Sequence, residues 1–295
     1  MVSIVSRNLH SKNAKLKSIG TGEIMGVELP SSGETGNTAR NHLVFGAANS
    51  VGKSRSHNED NLFASSFFSI GLTDPLEIGL FAVADGMGGH LSGEVASSKA
   101  IDTISNKLLT KLVTPPPSLS QENIFDTLEG IIEEAFLAAQ EAVLRSAPGG
   151  GTTLTVAICF AGIVAWGHVG DSRLYHLDKR SNLNRITHDH SLVGRLVELG
   201  QISEAEVEDH PQKNVLIKAL GQLDGFKVDL GHFILNTGEK IILCSDGLWG
   251  QVSDKNIVIL TKAYAGLSQA CSALVQAAND AGGPDNISVI MVEYQ

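Results

Sequence analysis

Two short stretches, GLFAVADGMGGH at 79–90 and KIILCSDGLWG at 240–250, decide which fold and which chemistry this chain can support. In each of them an apolar run typical of a buried β-strand leads directly into an aspartate, Asp85 or Asp246, that is followed by glycine. Asp-Gly is a common turn pair, so either stretch alone has a purely structural explanation. Because the arrangement recurs, a shared chemical role has to be considered beside the structural one.

Three further segments place acidic residues at the edge of an apolar strand. These residues are Asp171 in VAWGHVGDSRLYHL (164–177), Asp285 in GGPDNISVIMVEY (282–294), and Glu59 and Asp60 in RSHNEDN (55–61). The strands of packed sheets can bring their ends together, and glycine lets a ligand approach the backbone closely. Carboxylates gathered in this way repel each other strongly, so they must either take up protons or surround a cation.

The ligand types predict which cation this cluster would hold. No C-x-x-C or H-x-x-x-H zinc pattern occurs in the sequence, and ligands that are all oxygen favour Mg²⁺ or Mn²⁺ over Zn²⁺. Two such ions can lower the pKa of a shared water and clamp a phosphoryl group. Arg55 lies close to Glu59 and Asp60, and its guanidinium suits phosphate oxygens, although a plain surface arginine is the alternative.

The composition excludes several other classes of protein. The formal net charge of −10 argues against a nucleic-acid binder, which needs an excess of Lys and Arg on one face. The longest apolar run, 154–166, is shorter than the roughly 18 residues of a membrane helix, so no membrane association is predicted. The N-terminus lacks the apolar stretch of a secretory signal, and the three cysteines fit buried, reduced thiols. We therefore expect a cytoplasmic protein.

The apolar pattern divides the chain into a leader and one domain. Residues 1–40 are rich in Ser, Gly, Asn and Thr, which predicts a flexible leader, and residues 41–295 form the predicted domain. Strand-like runs occur at 43–48, 60–68, 78–84, 152–160, 163–169, 173–178, 228–234, 239–244 and 286–293. Helix-like runs occur at 91–112, 121–146, 254–264 and 267–280. Strands grouped on either side of two adjacent helices favour an α+β layered fold with antiparallel sheets.

One segment, about 188–225, turns polar and irregular, with a short helix predicted at 191–199. Such an excursion over the surface often flanks a functional site. We therefore expect it to lie beside a functional site.

Taken together, eight ordered stretches make the sequence recognisable. They are RSHNED (55–60), VADGMGGH (83–90), GTTLT (151–155), HVGDSR (168–173), ITHDHSLVGRLVELG (186–200), NVLIKALG (214–221), LCSDGLW (243–249) and GGPDNISVI (282–290). In these stretches the chain resembles the metal-dependent serine/threonine protein phosphatases of the 2C class, the PPM family, and its bacterial members in particular. The resemblance covers about residues 43–295 and implies a four-layer α-β-β-α sandwich with two central antiparallel sheets flanked by helices. It also implies that segment 188–225 is a flap beside the active site.

The resemblance also implies roles for the acidic cluster. Asp85 would bridge two Mn²⁺ or Mg²⁺ ions, and Gly86 would offer its carbonyl. The remaining ligands would be Asp246 and Asp285 on one ion and Asp60, with Glu59 assisting through water, on the other. Arg55 would bind the substrate phosphate and take part in catalysis.

Two departures from the family pattern leave parts of the site open. Asp171 resembles the residue that supports a third, weaker ion in bacterial members, but Gly250 stands where many relatives carry an acidic residue. Met87 stands where eukaryotic members carry a histidine that protonates the leaving oxygen. His90 is our candidate for that catalytic role and His57 a second one, with a core or capping histidine as the alternative for His90.

The reaction that the resemblance implies is hydrolysis of phosphoserine or phosphothreonine in proteins by direct attack of a metal-bridging hydroxide. The partners would be phosphoproteins, the natural ones being substrates of a cognate Ser/Thr kinase, and we expect a monomer because no heptad pattern occurs. Two rival interpretations stay open at this level. One is a catalytically silent relative that binds phosphoproteins, and the other is a structural module whose aspartates only hold metal.

Overall fold

The computed structural model of the protein describes residues 25–28, 42–69, 76–88, 91–113, 124–207, 210–223 and 226–295. Its strands are β1 (Met25–Glu28), β2 (Leu43–Ser50), β3 (Asp60–Ser69), β4 (Leu76–Met87), β5 (Gly151–Thr152), β6 (Leu154–Phe160), β7 (Ile163–Val169), β8 (Arg173–Leu177), β9 (Leu183–Arg185), β10 (Asp229–Ile234), β11 (Lys240–Cys244) and β12 (Ile287–Tyr294). Its helices are α1 (Leu91–Val113), α2 (Ile124–Ser146), α3 (Leu192–Glu198), α4 (Glu204–Val207), α5 (Asp246–Trp249), α6 (Asp254–Ala263) and α7 (Leu267–Asp280).

The described strands form two antiparallel sheets. In the first sheet the spatial order is β1-β2-β12-β11-β8-β9, and in the second it is β10-β7-β6-β4-β3, with the short β5 paired to β4. Every pair of neighbouring strands is antiparallel. The α+β class predicted from the sequence is confirmed.

Three apolar clusters hold four layers together. One cluster joins α1 and α2 to the outer face of the second sheet, and another joins α7 to the outer face of the first sheet. The third lies between the sheets, where Phe81, Val83 and Ala157 meet Leu243, Ile290 and other residues of the first sheet. This arrangement is the α-β-β-α sandwich that the resemblance implies.

Burial explains why these segments form these elements. Along α2 the buried positions recur every three or four residues, which is the spacing of one helix face. All seven residues of β6 are buried, because this central strand is covered by helices on one side and by the other sheet on the opposite side. The helix side chains pack tightly on the sheet: a Cβ added at Gly167 of β7 would lie 2.8 Å from the ring of Phe136.

All nine predicted strand runs and all four predicted long helices are found, with ends that differ by only a few residues. The run at 152–160 is interrupted and forms β5 and β6. The sequence did not reveal β1, β9, α4 or α5, each of which is at most four residues long. Within the predicted leader, β1 pairs with β2, and the rest of residues 1–40 lies outside the described residues.

A helix that crosses a membrane has to be both long and apolar. Of the helices in the part of the chain that the structure describes, none combines the length and the apolar character that crossing a membrane requires.

The packing of α2 on the second sheet predicts a large cost for truncating Phe136, which is fully buried. Phe136→Ala should lower the free energy of unfolding by about 3–5 kcal/mol, because a cavity remains under the helix. Its neighbour Leu137 is half exposed, so Leu137→Ala should change stability by only about 0.5 kcal/mol. Urea denaturation of both variants measures the difference, and similar values for the two would contradict this packing.

Candidate active site

The two sheets bring the predicted acidic residues together at one end of the sandwich. Asp60 begins β3 and lies opposite Asp85 in the β3–β4 ladder. Asp246 begins α5 just after β11, and Asp285 lies just before β12. These two strands are neighbours in the other sheet. Asp171 lies in the turn between β7 and β8. Both sheets therefore contribute carboxylates to the same place.

A pocket of about 180 Å³ opens between these carboxylates. Its walls contain Arg55, Glu59, Asp85, Gly86, Met87, Gly88, Thr153, Asp171, Asn214, Leu216, Asp246 and Asp285. Of the site residues predicted from the sequence, Asp60 is not in the wall but is buried next to it, where Ser245 Oγ donates a hydrogen bond of 2.8 Å to its Oδ2. His90 lies outside the described residues, so its role stays a prediction.

Two carboxylate oxygens in this cluster lack a partner. Among the described residues, Asp60 Oδ1 and Asp246 Oδ1 are buried and make no hydrogen bond. A buried polar atom without a partner is costly, and native proteins usually satisfy such atoms with a protein group, water or an ion. These two oxygens therefore point to a ligand.

The pKa values of the clustered aspartates also point to a ligand. Burial, followed by the charges of neighbouring aspartates, raises the pKa of Asp60 from 3.8 to about 7. Burial and then the charge of Asp285 raise the pKa of Asp246 to about 6, although a hydrogen bond to Asp85 opposes this shift. The pKa values of Asp85 and Asp171 are also raised well above the ordinary value, first by burial and then by other aspartates. Dications at this position would reverse these shifts.

The donor chemistry fits Mg²⁺ or Mn²⁺, but the carboxylates are engaged with other groups. In the described part of the chain, three or more His, Cys, Asp or Glu side chains are nowhere already arranged to hold a metal ion. One contact contributes to this result: Arg55 Nη2 donates to Asp285 Oδ2 at 2.7 Å, which occupies one carboxylate oxygen of the cluster. Side-chain contacts of this kind can rearrange when an ion binds, and the oxygen-only donors and the unpartnered atoms fit a hard dication.

Close packing explains why glycine follows both aspartates. A Cβ added at Gly86 would collide with the carbonyl of Gly93, and one added at Gly247 would collide with the carbonyl of Asn286. Gly86 N also donates to Glu59 O at 3.1 Å, which joins the end of β4 to the segment before β3. Glycine at both positions is therefore explained by backbone segments that pack closely beside the aspartates.

The segment that carries Arg55 lies at the mouth of the pocket. The Arg55 side chain is 49% exposed and reaches Asp285, which is 230 positions away in the chain. His57 Nε2 lies 3.1 Å from Glu59 Oε1, so the second histidine candidate contacts one of the predicted metal ligands. This placement agrees with a phosphate-binding role for Arg55.

The surroundings of Asp171 link the pocket to the polar segment 188–225. Trp249 Nε1 donates to the Asp171 carbonyl at 3.0 Å, and the Arg173 guanidinium lies 3.6 Å from the centre of the Trp249 ring. Arg173 also donates to both carboxylate oxygens of Asp189, at 3.0 and 2.6 Å. The start of segment 188–225 is therefore tied to the turn that carries Asp171.

Sequence reasoning did not single out four residues that build the site. Thr153 accepts a hydrogen bond from Asp85 N at 2.9 Å, and Asn286 accepts one from Glu59 N at 2.8 Å. Asn214 and Leu216, from segment 188–225, form part of the pocket wall. All four lie inside the motifs quoted above, which is the signal that could have identified them.

Comparison with known proteins gives the class. A family model described as Protein phosphatase 2C matches residues 53–282. The serine/threonine phosphatase stp of Listeria monocytogenes is 38% identical over 251 residues, which cover 82% of this chain and 92% of the relative. The crystal structure of the Mycobacterium tuberculosis serine/threonine phosphatase PstP/Ppp superposes with a TM-score of 0.71 at 31% identity, covering 85% of this chain and 98% of that one.

A further structure, of the catalytic domain of the phosphatase PstP in complex with two manganese ions, superposes with a TM-score of 0.70 at 28% identity. It covers 86% of this chain and 99% of that one. The fold, the site and these similarities show that the chain belongs to the protein phosphatase 2C family. It is a protein-serine/threonine phosphatase of the bacterial type, as the eight motifs predicted.

The raised pKa values of Asp60 and Asp246 predict how stability depends on pH without divalent ions. A carboxyl whose pKa is higher in the folded state favours folding most below its unfolded pKa, and this contribution is lost as the pH rises through the folded pKa. The window therefore runs from about pH 4 to about pH 7. Over this window the free energy of unfolding of the wild type should fall relative to that of Asp60→Asn.

Thermal or urea unfolding in a chelator, at several pH values between 4 and 8, measures this difference. Asn at position 60 can still accept the hydrogen bond from Ser245, so the comparison isolates the charge. Carboxyls with lowered pKa values, such as Glu239, stabilise the fold as the pH rises. Their contribution is the same in both proteins and cancels in the comparison. Parallel pH profiles for the two proteins would show that Asp60 does not carry the repulsion.

Proposed function

We propose that this protein hydrolyses phosphoserine and phosphothreonine in phosphoproteins with the help of two divalent cations. The observation that carries the proposal is the convergence of buried carboxylates from both sheets on one pocket whose mouth contains Arg55. A phosphorylated side chain has the charge and the length to enter such a pocket from the protein surface. The manganese ions named for the PstP catalytic domain support the proposal.

The residues proposed to hold the cations share oxygen donors and a position in or beside the pocket. They are Asp60, Glu59, Asp85, Gly86, Asp246 and Asp285 for two Mn²⁺ or Mg²⁺ ions, and Asp171 for a third, weaker one. When bound, such ions would lower the pKa of a shared water, so that it attacks phosphorus directly, and would offset phosphoryl charge. The unpartnered Asp60 Oδ1 and Asp246 Oδ1 support this assignment.

The chain's own residues would supply the binding and orientation. Arg55 has five N–H donors, and among the described residues only the Nη2 contact to Asp285 competes with a phosphate. The raised pKa values of Asp60 and Asp85 mean that burial and mutual repulsion disfavour ionisation of the cluster, and bound cations would relieve this. Thr153, which accepts from Asp85 N, fixes the backbone at the centre of the cluster. His57 and His90 remain candidates for protonating the leaving oxygen.

Segment 188–225 is proposed to act as the flap that contacts the phosphoprotein around its phosphorylated residue. Asn214 and Leu216 of this segment line the pocket, while Val215 and Ile217 between and beside them are exposed. Apolar side chains are therefore presented at the surface beside the pocket. A cognate Ser/Thr kinase, a monomeric state, a cytoplasmic location and a domain spanning 41–295 stay predictions.

The first test of this function is metal-dependent turnover. Hydrolysis of a phosphothreonine peptide should require Mn²⁺ or Mg²⁺ and should stop in a chelator. Asp246→Asn should reduce kcat/KM at least about a hundredfold, because a charged ligand is lost from the cluster. Asp254→Asn, which changes an exposed residue in the first turn of α6, is the matched control and should leave turnover unchanged.

Metal binding without turnover in the wild type would contradict the proposal and would favour a silent relative. Equal losses in Asp246→Asn and Asp254→Asn would show that the effect is not specific to the site.

The second test concerns Arg55. Arg55→Ala should lower kcat/KM about a hundredfold or more, because a charged donor to the phosphate is removed. Arg145 forms an exposed ion pair with Glu141 on α2, so Arg145→Ala should change kcat/KM little. Steady-state kinetics with the same peptide decide between the outcomes, and an unchanged Arg55→Ala variant would remove Arg55 from the site.

A further inference from the structure

The segment that carries Arg55 has no regular secondary structure of its own. Residues 51–59, here named the Arg55 loop, connect β2 to β3 without helix or strand. Its backbone instead bonds to the turn before β12: Lys53 N and Ser54 N both donate to Gly283 O, at 2.7 and 3.2 Å. Because the loop lacks internal regular structure, its shape depends on such external contacts.

The side chain of Asn286 makes several contacts of this kind with the loop. Its Oδ1 accepts from Glu59 N at 2.8 Å, and its Nδ2 donates to Val51 O at 2.8 Å and to His57 O at 3.0 Å. The side chain thus uses its carbonyl and its amide nitrogen on both ends of a loop that lies more than 200 positions away in the chain. Asn286 is only 4% exposed, so water does not compete effectively for these bonds.

The same residue is linked to the acid that Arg55 contacts. The backbone N–H of Asn286 donates to Asp285 Oδ1 at 2.8 Å, and the other carboxylate oxygen, Oδ2, accepts from Arg55. Asn286 therefore holds the loop on each side of Arg55 and, through its backbone, the carboxylate that contacts the guanidinium in the metal-free protein. We infer that Asn286 is a positioning residue, which sets Arg55 for the substrate phosphate without touching the substrate itself.

The amide is required by the pattern of donors and acceptors. Glu59 presents a donor to the Asn286 side chain, whereas Val51 and His57 both present acceptors. A carboxylate at position 286 would satisfy Glu59 N but would face two carbonyl oxygens, and an aliphatic side chain would satisfy none of the three. The inference rests on the proposed function only in the role that it gives to Arg55.

Amide hydrogen exchange tests the structural half of the inference without any turnover. In the metal-free protein, Asn286→Leu should raise the exchange rate of the Glu59 amide by about tenfold, since its acceptor is gone. Asn286→Asp keeps that acceptor, so the Glu59 amide should stay protected. The matched control is Gln140→Glu. The buried Gln140 amide also bonds to the backbone, accepting from Gly221 N and donating to Gln222 O, but it lies away from the Arg55 loop. It should leave the Glu59 amide unchanged.

A double-mutant cycle tests the functional half. Asn286→Leu and Asn286→Asp should each lower kcat/KM for a phosphothreonine peptide roughly tenfold to a hundredfold, because small displacements of a binding group weaken catalysis. In an Arg55→Ala background most of that loss should disappear, since Asn286 acts through Arg55. If Asn286→Leu does not fold, Asn286→Asp alone decides the cycle.

The inference would be overturned if the losses of kcat/KM in the single variants were additive in the double variant. It would also be overturned if the Glu59 amide stayed protected from exchange in folded Asn286→Leu. If the wild type showed no turnover, the proposed function would fail while the exchange result would still stand, so the two failures are distinguishable.

Discussion

The mutual repulsion of buried aspartates at one end of the sandwich is the constraint on which the rest of the structure depends. Asp85 lies among Asp60, Asp246, Asp171 and Asp285, and burial together with these charges makes ionisation of the group unfavourable. A fold does not retain such a cluster for stability, because apolar residues of similar size would pack there at lower cost. The cluster is explained if divalent cations compensate it, and this gives the enzyme its chemistry.

The architecture serves to bring these charges together. Each sheet supplies part of the cluster: the Asp60–Asp85 pair belongs to the β3–β4 ladder, and Asp246 and Asp285 belong to the β11–β12 side. Because the apolar cluster between the sheets fixes their separation, the carboxylates cannot move apart to relieve the repulsion. Asn286 and the glycines beside the aspartates then let irregular loops approach the same point.

Much of the fold and of the acidic cluster could be predicted from the sequence, because the sequence patterns that mark them are local. An apolar run that ends in Asp-Gly marks both a strand and a site residue, so Asp85 and Asp246 could be found together with β4 and β11. The hydrogen bonds between Ser245 and Asp60 and between Asn286 and the Arg55 loop could not be predicted, since they join residues about 200 positions apart. Likewise, β9 and α5 are too short to show a period, and the pocket wall from segment 188–225 comes from irregular chain.

The central claim is tested most directly by locating the ions. Crystals of the wild-type protein grown with Mn²⁺ should show two anomalous scattering peaks between Asp60, Asp85, Asp246 and Asp285, with oxygen ligands at about 2.1–2.2 Å, near the distances of small hard dications. The Arg55–Asp285 contact should be rearranged in that structure. A pocket without anomalous signal at millimolar Mn²⁺, with Arg55 still bonded to Asp285, would contradict the claim.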